Sequence, residues 1–354
     1  MVFRTEKIKG LIYGAMIGDA LGLPYEGLSR QGREKIFGEI NNYDFIHNKG
    51  IVSDDTDHML LSFFALANSS NSNDFITNLS KYLKYWLCCL PPGIGAGTLL
   101  AIIKLLFGVN PKDSGTSSAG NGPCMRSVAI GAMFYDDYDK ITHYTISSST
   151  ITHKDKRSIV SAICVARLTS LAIRTPPQKS IKFKSIEQEM RAANIFNDPE
   201  WTTIIDRLNQ SLKRKLNLTD FQNDLNAQNY VSGLSYQSIP IAIFCFAKYG
   251  KDFRSAVRCA VSCGGDTDTI GFITGALSGA LLGVEALPRD LVHGLMSWPC
   301  DIEFAEEVIS FLTEEKVNMP KSFPWGALLL RNQCCFLFLI PHIFRRAIYR
   351  LFRL

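Results

Sequence analysis

The sequence predicts an all-α protein, and three observations carry that expectation. Strand signals, meaning short alternating apolar runs bounded by turn residues, are nearly absent from its 354 residues. Apolar runs of helical length recur throughout instead. Two of those runs carry glycine at every fourth position: Gly10, Gly14, Gly18 and Gly22, and then Gly271, Gly275, Gly279 and Gly283. Fourth-residue spacing keeps to one slowly drifting helix face. Each interior glycine costs about 1 kcal/mol relative to alanine, so a stripe of them needs a reason. Close backbone approach is the simplest one, which predicts a tightly crossed helix pair near the centre.

Composition fits a globular chain with a large core: 46% of residues are hydrophobic and 20% charged. Length alone allows one domain or two. The net charge of +5 is unevenly placed. No Asp or Glu follows Glu315, whereas Lys316, Lys321, Arg331, Arg345, Arg346, Arg350 and Arg353 do. Setting those seven aside leaves 31 basic against 33 acidic groups in residues 1–315, so the body is near neutral and no nucleic-acid partner is expected. The ten cysteines form no C-x-x-C pair and several sit in apolar runs, as in Ile243-Phe244-Cys245-Phe246. Free buried thiols in a reducing, cytoplasmic setting are the expectation. Asp19 and the glycine spacing around it argue against a signal peptide, and no apolar run approaches the ~20 residues needed to span a bilayer.

Along the chain, the first helix should end near Gly22-Leu23-Pro24, leaving Tyr25 and Glu26 in a loop. Residues 29–50 read as an irregular loop. Ser53-Asp54-Asp55-Thr56-Asp57 then opens an apolar helix over residues 58–67. Residues 79–90 form a helix stopped by Pro91-Pro92. Gly93-Ile94-Gly95-Ala96-Gly97-Thr98 leads into a helix over 99–107. Residues 115–122, Gly-Thr-Ser-Ser-Ala-Gly-Asn-Gly, are the most flexible by composition and run into a helix over 125–134. Such glycine loops suit phosphate or sugar oxygens, although neither is a Walker motif and each alone is ordinarily a turn. Thr152-His153 precedes a helix over 159–173, and a histidine at such a place is ordinarily a cap or surface residue. Residues 174–232 are polar with helical patches, as at 186–196. Helices over 239–249 and 253–263 follow.

The chemistry concentrates in Gly264-Gly265-Asp266-Thr267-Asp268-Thr269, which opens the second glycine-striped helix. Asp and Thr are hard oxygen ligands for a small divalent cation, and they are also ordinary N-cap and first-turn residues. The Ser53–Asp57 cluster repeats that chemistry at another helix start, more than 200 residues upstream. Asp54, Asp55, Asp57, Asp266 and Asp268 together suffice for two ions. A metal pair about 3.5–4 Å apart can hold neighbouring oxygens and activate water. Glu26 adds a carboxylate available as acid or base. The D-x-D-x-T phosphatase pattern fails because Ser262-Cys263-Gly264-Gly265, not an apolar strand, precedes Asp266. The D-D-x-x-D prenyl-synthase pattern fails at His58.

In combination these pieces resemble the ADP-ribosylglycohydrolase family, the all-α Mg²⁺-dependent hydrolases related to dinitrogenase-reductase-activating glycohydrolase. The likeness runs from about Gly10 to Gly283. It comprises Gly14-Ala15-Met16-Ile17-Gly18-Asp19-Ala20-Leu21-Gly22 with Glu26, Ser53-Asp54-Asp55-Thr56, Gly120-Asn121-Gly122 with Met125-Arg126, Thr152-His153, and residues 264–269. The resemblance implies a single-domain orthogonal bundle of many helices over residues 1–320, with a binuclear metal site at its centre. It implies that Ser53, Asp54, Asp55, Asp266, Asp268 and Thr269 ligate two Mg²⁺ ions, with Mn²⁺ as the alternative. Ser53 stands where threonine is commoner. Glu26, on a movable loop, and Asp55 are the implied acid–base candidates. Ser118, Gly120, Asn121 and Gly122 would line the diphosphate and distal ribose, and His153 the adenosine side. Ala119 replaces an aromatic residue of some members. The implied activity is hydrolysis of the glycosidic bond between ADP-ribose and a protein side chain or small molecule. The alternative is a non-catalytic ADP-ribose-binding or structural relative. Residues 321–354, basic and apolar, are expected to pack as a helix on the body, or else to lie on an anionic membrane surface.

Overall fold

The computed structural model describes residues 2–46, 48–176, 179–296, 298–312 and 323–337 of the chain. Among them the structure is all-α, with isolated β-bridges and no sheet. Its axis is the antiparallel pair of Val2–Gly22 and Thr267–Leu282. The glycine stripes face one another there. A methyl group on Gly10, Gly14 or Gly18 would overlap the carbonyl oxygen of Gly279, Gly275 or Gly271 respectively, and the reverse holds for the second helix. Backbones therefore meet directly, and the crossed pair expected from the spacing is observed. Around it pack Asp54–Ala67, Gly122–Met133, Lys156–Arg174, Ser235–Tyr249 and Phe253–Val261. Gly131 repeats the device locally, since a Cβ there would meet the Ala166 carbonyl. Trp86, Trp201, Phe63 and Phe272 are fully buried in the common core.

Three expectations are corrected. Residues 29–50 are not irregular throughout, because Arg30–Phe37 is a helix. Its apolar periodicity is too weak to read. The Ser29 side chain accepts from Gly32 N at 3.1 Å, and the buried Arg33 guanidinium donates to Gly38 O at 2.7 Å. The loop at 115–122 is tied down rather than loose. Thr116 N donates to Thr152 O at 2.9 Å, and Lys154 N donates to Thr116 O at 2.7 Å. On its other side, Asn121 N donates to Gly233 O and Ser235 N to Ala119 O, both at 2.9 Å. Third, Asp57 does not join the other acids in a metal cluster. Its carboxylate is fully buried against Arg331, with Nη1–Oδ1 at 2.9 Å and Nη2–Oδ2 at 2.6 Å, and it also accepts from Trp86 Nε1 at 3.1 Å.

That ion pair belongs to a helix over residues 325–337, which packs on the body. Leu328 is buried, Phe323 meets Phe64 edge-on at 5.5 Å, and Asn332 Nδ2 donates to Cys89 O at 2.8 Å. The membrane-surface alternative rests largely on residues 338–354, which lie outside the described residues. Among the described residues no helix is long and apolar enough to cross a membrane. All ten cysteines are free, and seven of them are buried.

Candidate active site

The axis pair positions the site. Gly264 and Gly265 adopt φ of +75° and +88°, where side chains are strained, and a Cβ on Gly265 would strike the Val231 backbone. The turn they make delivers Asp266 to the N-cap of Thr267–Leu282 and places Asp268 and Thr269 in its first turn. Thr267 Oγ1 donates to Gly22 O at 2.8 Å, fastening this helix start to the end of the first helix. Opposite, Ser53 caps Asp54–Ala67 by accepting from Asp55 N at 3.2 Å. Thr269 Oγ1 donates to Asp55 Oδ2 at 3.0 Å, and Ser53 Oγ lies 3.2 Å from the same oxygen. The two helix starts thus touch. Asn121 closes the third side by donating to Asp266 Oδ2 at 2.5 Å and to Ser238 Oγ at 2.9 Å.

A cavity of about 350 Å³ opens over these residues. Glu26, Asp54, Ser118, Gly120, Asn121, Gly122, His153, Asp266, Asp268 and Thr269 line it, so ten of the twelve residues singled out by sequence share one cavity. Ser53 and Asp55 are absent from its lining but bonded to the cluster below. Tyr230, Gly233 and Met125, which the sequence did not assign to the site, also line it, as do Gly93 and residues 95–98 of the loop read as a turn. A larger open hollow of about 670 Å³, between Arg4 and residues 133–140, shares no residue with the acidic cluster. The Glu26 loop is tied in this conformation, with Gly27 N donating to Gly265 O at 2.8 Å and Gly265 N to Leu28 O at 2.7 Å.

Asp19 is the acid whose place in the cluster was not foreseen. One carboxylate oxygen each of Asp19, Asp55 and Asp268 lie within 4.8 Å of one another, all buried. The readable signal was an isolated carboxylate inside an apolar, glycine-striped helix. Its oxygens are already engaged, by Ser53 N at 3.0 Å, Thr56 N at 3.2 Å and Thr56 Oγ1 at 2.6 Å. Asp19 is thus a cap that joins the first helix to Asp54–Ala67. Asp55 Oδ1 and Asp268 Oδ1 are different, being buried without a hydrogen-bond partner.

Electrostatics sharpen that contrast. Burial first, and then the charges of neighbouring acids, push Asp54, Asp55 and Asp268 well above the ordinary carboxylate range. Asp19 is pushed up to about 6 by burial, against the pull of its Ser53 and Thr56 hydrogen bonds. Asp266 is raised by burial, while bonds from Asn121 and Thr269 work the other way. Orphaned hard oxygens crowded in a buried cluster fit a divalent cation, which would neutralise the crowding and take the free lone pairs. On chemistry and position, this buried acidic cluster could hold a metal ion.

Comparison with known proteins agrees with the geometry. The sequence matches the ADP-ribosylglycohydrolase family over residues 2–318. The chain belongs to that family. An uncharacterised protein of Archaeoglobus fulgidus is 29% identical over 329 residues, covering 89% of this chain and 99% of that protein. Human ADP-ribosylhydrolase ARH3 is 23% identical over 340 residues, covering 85% and 90% respectively. A solved structure of an ADP-ribosylglycohydrolase-related protein complex superposes with a TM-score of 0.66 at 22% identity, over 88% of this chain and 97% of that one, and so shares the fold. Membership of this glycohydrolase family assigns hydrolase chemistry on ADP-ribose linkages in general terms, and its span exceeds the Gly10–Gly283 likeness at both ends.

Proposed function

We propose that this chain is a Mg²⁺-dependent hydrolase that cleaves the glycosidic bond between ADP-ribose and a protein side chain or small molecule, releasing ADP-ribose. The observation that carries the reading is the pair of orphaned buried oxygens, Asp55 Oδ1 and Asp268 Oδ1, in a cluster beside a cavity that glycines and His153 also line. Ser53, Asp54, Asp55, Asp266, Asp268 and Thr269 would hold two Mg²⁺ ions, or Mn²⁺. When bound, such ions would supply Lewis acidity that polarises ribose oxygens and makes a bound water more acidic than bulk water.

The chain's own groups account for the remainder. Glu26 lies on the cavity wall and is close enough for its charge to raise both Asp54 and Asp268. It is therefore placed to move a proton at the acceptor oxygen or nitrogen, or at the attacking water, with Asp55 as the other candidate. As the glycosidic bond breaks, positive charge develops at the anomeric carbon, and the surrounding carboxylates stabilise it. Ser118 and the Gly120–Gly122 backbone bind the diphosphate side, where a side chain in place of either glycine would crowd His153. Every proposed ligand position keeps an oxygen donor, so nothing at the site favours the non-catalytic alternative.

The test is ADP-ribose release from a panel of arginine-linked, serine-linked and O-acetyl substrates, with Mg²⁺ or with EDTA. Release should require the cation and fall at least about 100-fold in Asp54→Asn and Asp266→Asn, in line with loss of transition-state charge stabilisation. Full activity in both variants, or in EDTA, refutes the assignment.

A further inference from the structure

His153 is joined to a buried polar chain that the proposed chemistry leaves unused. Arg126 is fully buried, and among the described residues it has no ion-pair partner. Its Nε donates to Ser148 Oγ at 3.2 Å, its Nη1 meets His58 Nδ1 at 3.1 Å, and its Nη2 donates to Thr152 Oγ1 at 2.6 Å. Thr152 Oγ1 in turn lies 2.9 Å from His153 Nδ1. A guanidinium has donors and no acceptor, so the direction of every bond it makes is fixed. Burial lowers its pKa to about 10, which leaves it protonated at neutral pH.

The direction propagates. Arg126 takes one of the two lone pairs of Thr152 Oγ1, and among the described residues His153 Nδ1 is the acceptor within reach of the hydroxyl proton, which is satisfied by donating to it. With Nδ1 accepting, the ring proton sits on Nε2. That edge of the ring faces the cavity. A Cβ on Gly97 or Gly120 would come within 3.1 Å of Nε2, and one on Gly122 within 3.1 Å of Cε1. All three glycines line the cavity, and Nε2 makes no hydrogen bond to a described residue. Glycine walls therefore leave room for a ligand atom at a single, oriented N–H. Burial, and secondarily the charge of Arg126, lower the His153 pKa to about 3, so the ring stays neutral.

We propose that Arg126, acting through the Thr152 hydroxyl, locks His153 in the tautomer protonated at Nε2, making it a fixed hydrogen-bond donor to an acceptor atom of the nucleotide part of an ADP-ribose derivative. Arg126 and Thr152 are positioning residues, and His153 is the group that touches the ligand. The inference rests on the proposed function for the identity of the ligand, whereas the tautomer lock stands on geometry alone.

Nitrogen-15 NMR of the imidazoles, with the His153 signal assigned by its loss in His153→Gln, reads the tautomer directly. Wild type and Thr152→Ser should show an unprotonated Nδ1 and a protonated Nε2 from pH 5 to 8. Thr152→Val, which keeps the shape and removes the hydroxyl, should shift the ring toward protonation at Nδ1. The same variant should weaken the dissociation constant for ADP-ribose about tenfold, the worth of one hydrogen bond, with Thr152→Ser close to wild type. A wild-type His153 protonated at Nδ1, or a tautomer unchanged in Thr152→Val, overturns the proposal. If Thr152→Val does not fold, the wild-type spectrum still decides. An intact tautomer together with no ADP-ribose release from any linkage would count against the functional reading and leave the lock standing.

Discussion

Asp57 and Asp55 show how much of a residue's role is local. Both stand in Ser53-Asp54-Asp55-Thr56-Asp57 and look alike as letters, but they sit on different sides of the helix. Asp55 turns to Thr269 and the cavity floor, while Asp57 turns to Arg331, 274 positions away. The clustered acids were legible as candidates because hydroxyl and carboxylate recur together at two helix starts. Nothing near Asp57 in sequence announces its arginine. Taken by its own letters, His153 was read as an ordinary cap or surface residue, since burial is not visible in a Thr-His pair. Burial, with the charge of Arg126, holds His58 well below its usual pKa and His153 at about 3. A folded-state pKa below the unfolded value of about 6.5 means stability that is present above pH 6.5 and lost as pH falls toward the folded pKa. Between pH 7 and pH 5 the His153 imidazole should therefore cost about 2 kcal/mol. Urea denaturation in saturating Mg²⁺ at both pH values should show that loss, reduced by about 2 kcal/mol in His153→Gln. Equal losses in wild type and variant would mean that His153 titrates freely.

At the scale of elements, apolar periodicity and punctuation located most helices. The exceptions have physical causes. Arg30–Phe37 is held by a cap and a buried arginine rather than by an apolar face. Ser72–Cys88 begins earlier than its apolar stretch because Asn71 caps it, accepting from Asn73 N at 2.9 Å and Asp74 N at 3.1 Å. The glycine stripes were the most informative letters, because spacing alone implied backbone contact. They also decide the site, since the antiparallel pair brings Asp19, near the end of the first helix, to the same end as Asp266, Asp268 and Thr269 at the start of the second. Gly18→Ala would place a methyl group onto the Gly271 carbonyl and the Phe272 amide, and neither can yield as a flexible side chain would. The expected cost is at least about 3 kcal/mol, the upper end for overpacking, together with weakened Mg²⁺ binding. Gly326→Ala, where nothing lies within 4 Å of the new methyl group, should instead stabilise by about 0.5 kcal/mol. Chemical denaturation of both variants checks the pair. A Gly18→Ala protein as stable as wild type would mean that the axis helices separate without cost.

At the scale of the molecule, the site is a meeting of three helix starts with two loops, and its parts are far apart in the chain. Acids and loop residues were legible as types, but the Gly93–Thr98 wall and Tyr230 became part of the cavity only through packing. The metal-free assembly works against itself: burial and mutual repulsion raise Asp54, Asp55 and Asp268 together. A cation held between Asp54–Ala67 and Thr267–Leu282 reverses that sign and links the axis pair to the rest of the bundle, so its effect should appear in global unfolding. At a Mg²⁺ concentration about 100 times the dissociation constant, linkage gives about 2.7 kcal/mol. For a chain of this size that amounts to a rise in Tm of about 3–5 °C over the protein in EDTA. Asp268→Asn separates the two contributions. It should raise the Tm of the metal-free protein, because one crowded charge is gone, and abolish the response to Mg²⁺. Thermal melts of the two proteins with and without the cation provide the check. A wild-type Tm indifferent to Mg²⁺ and Mn²⁺ would leave the orphaned oxygens of Asp55 and Asp268 without the ion proposed for them.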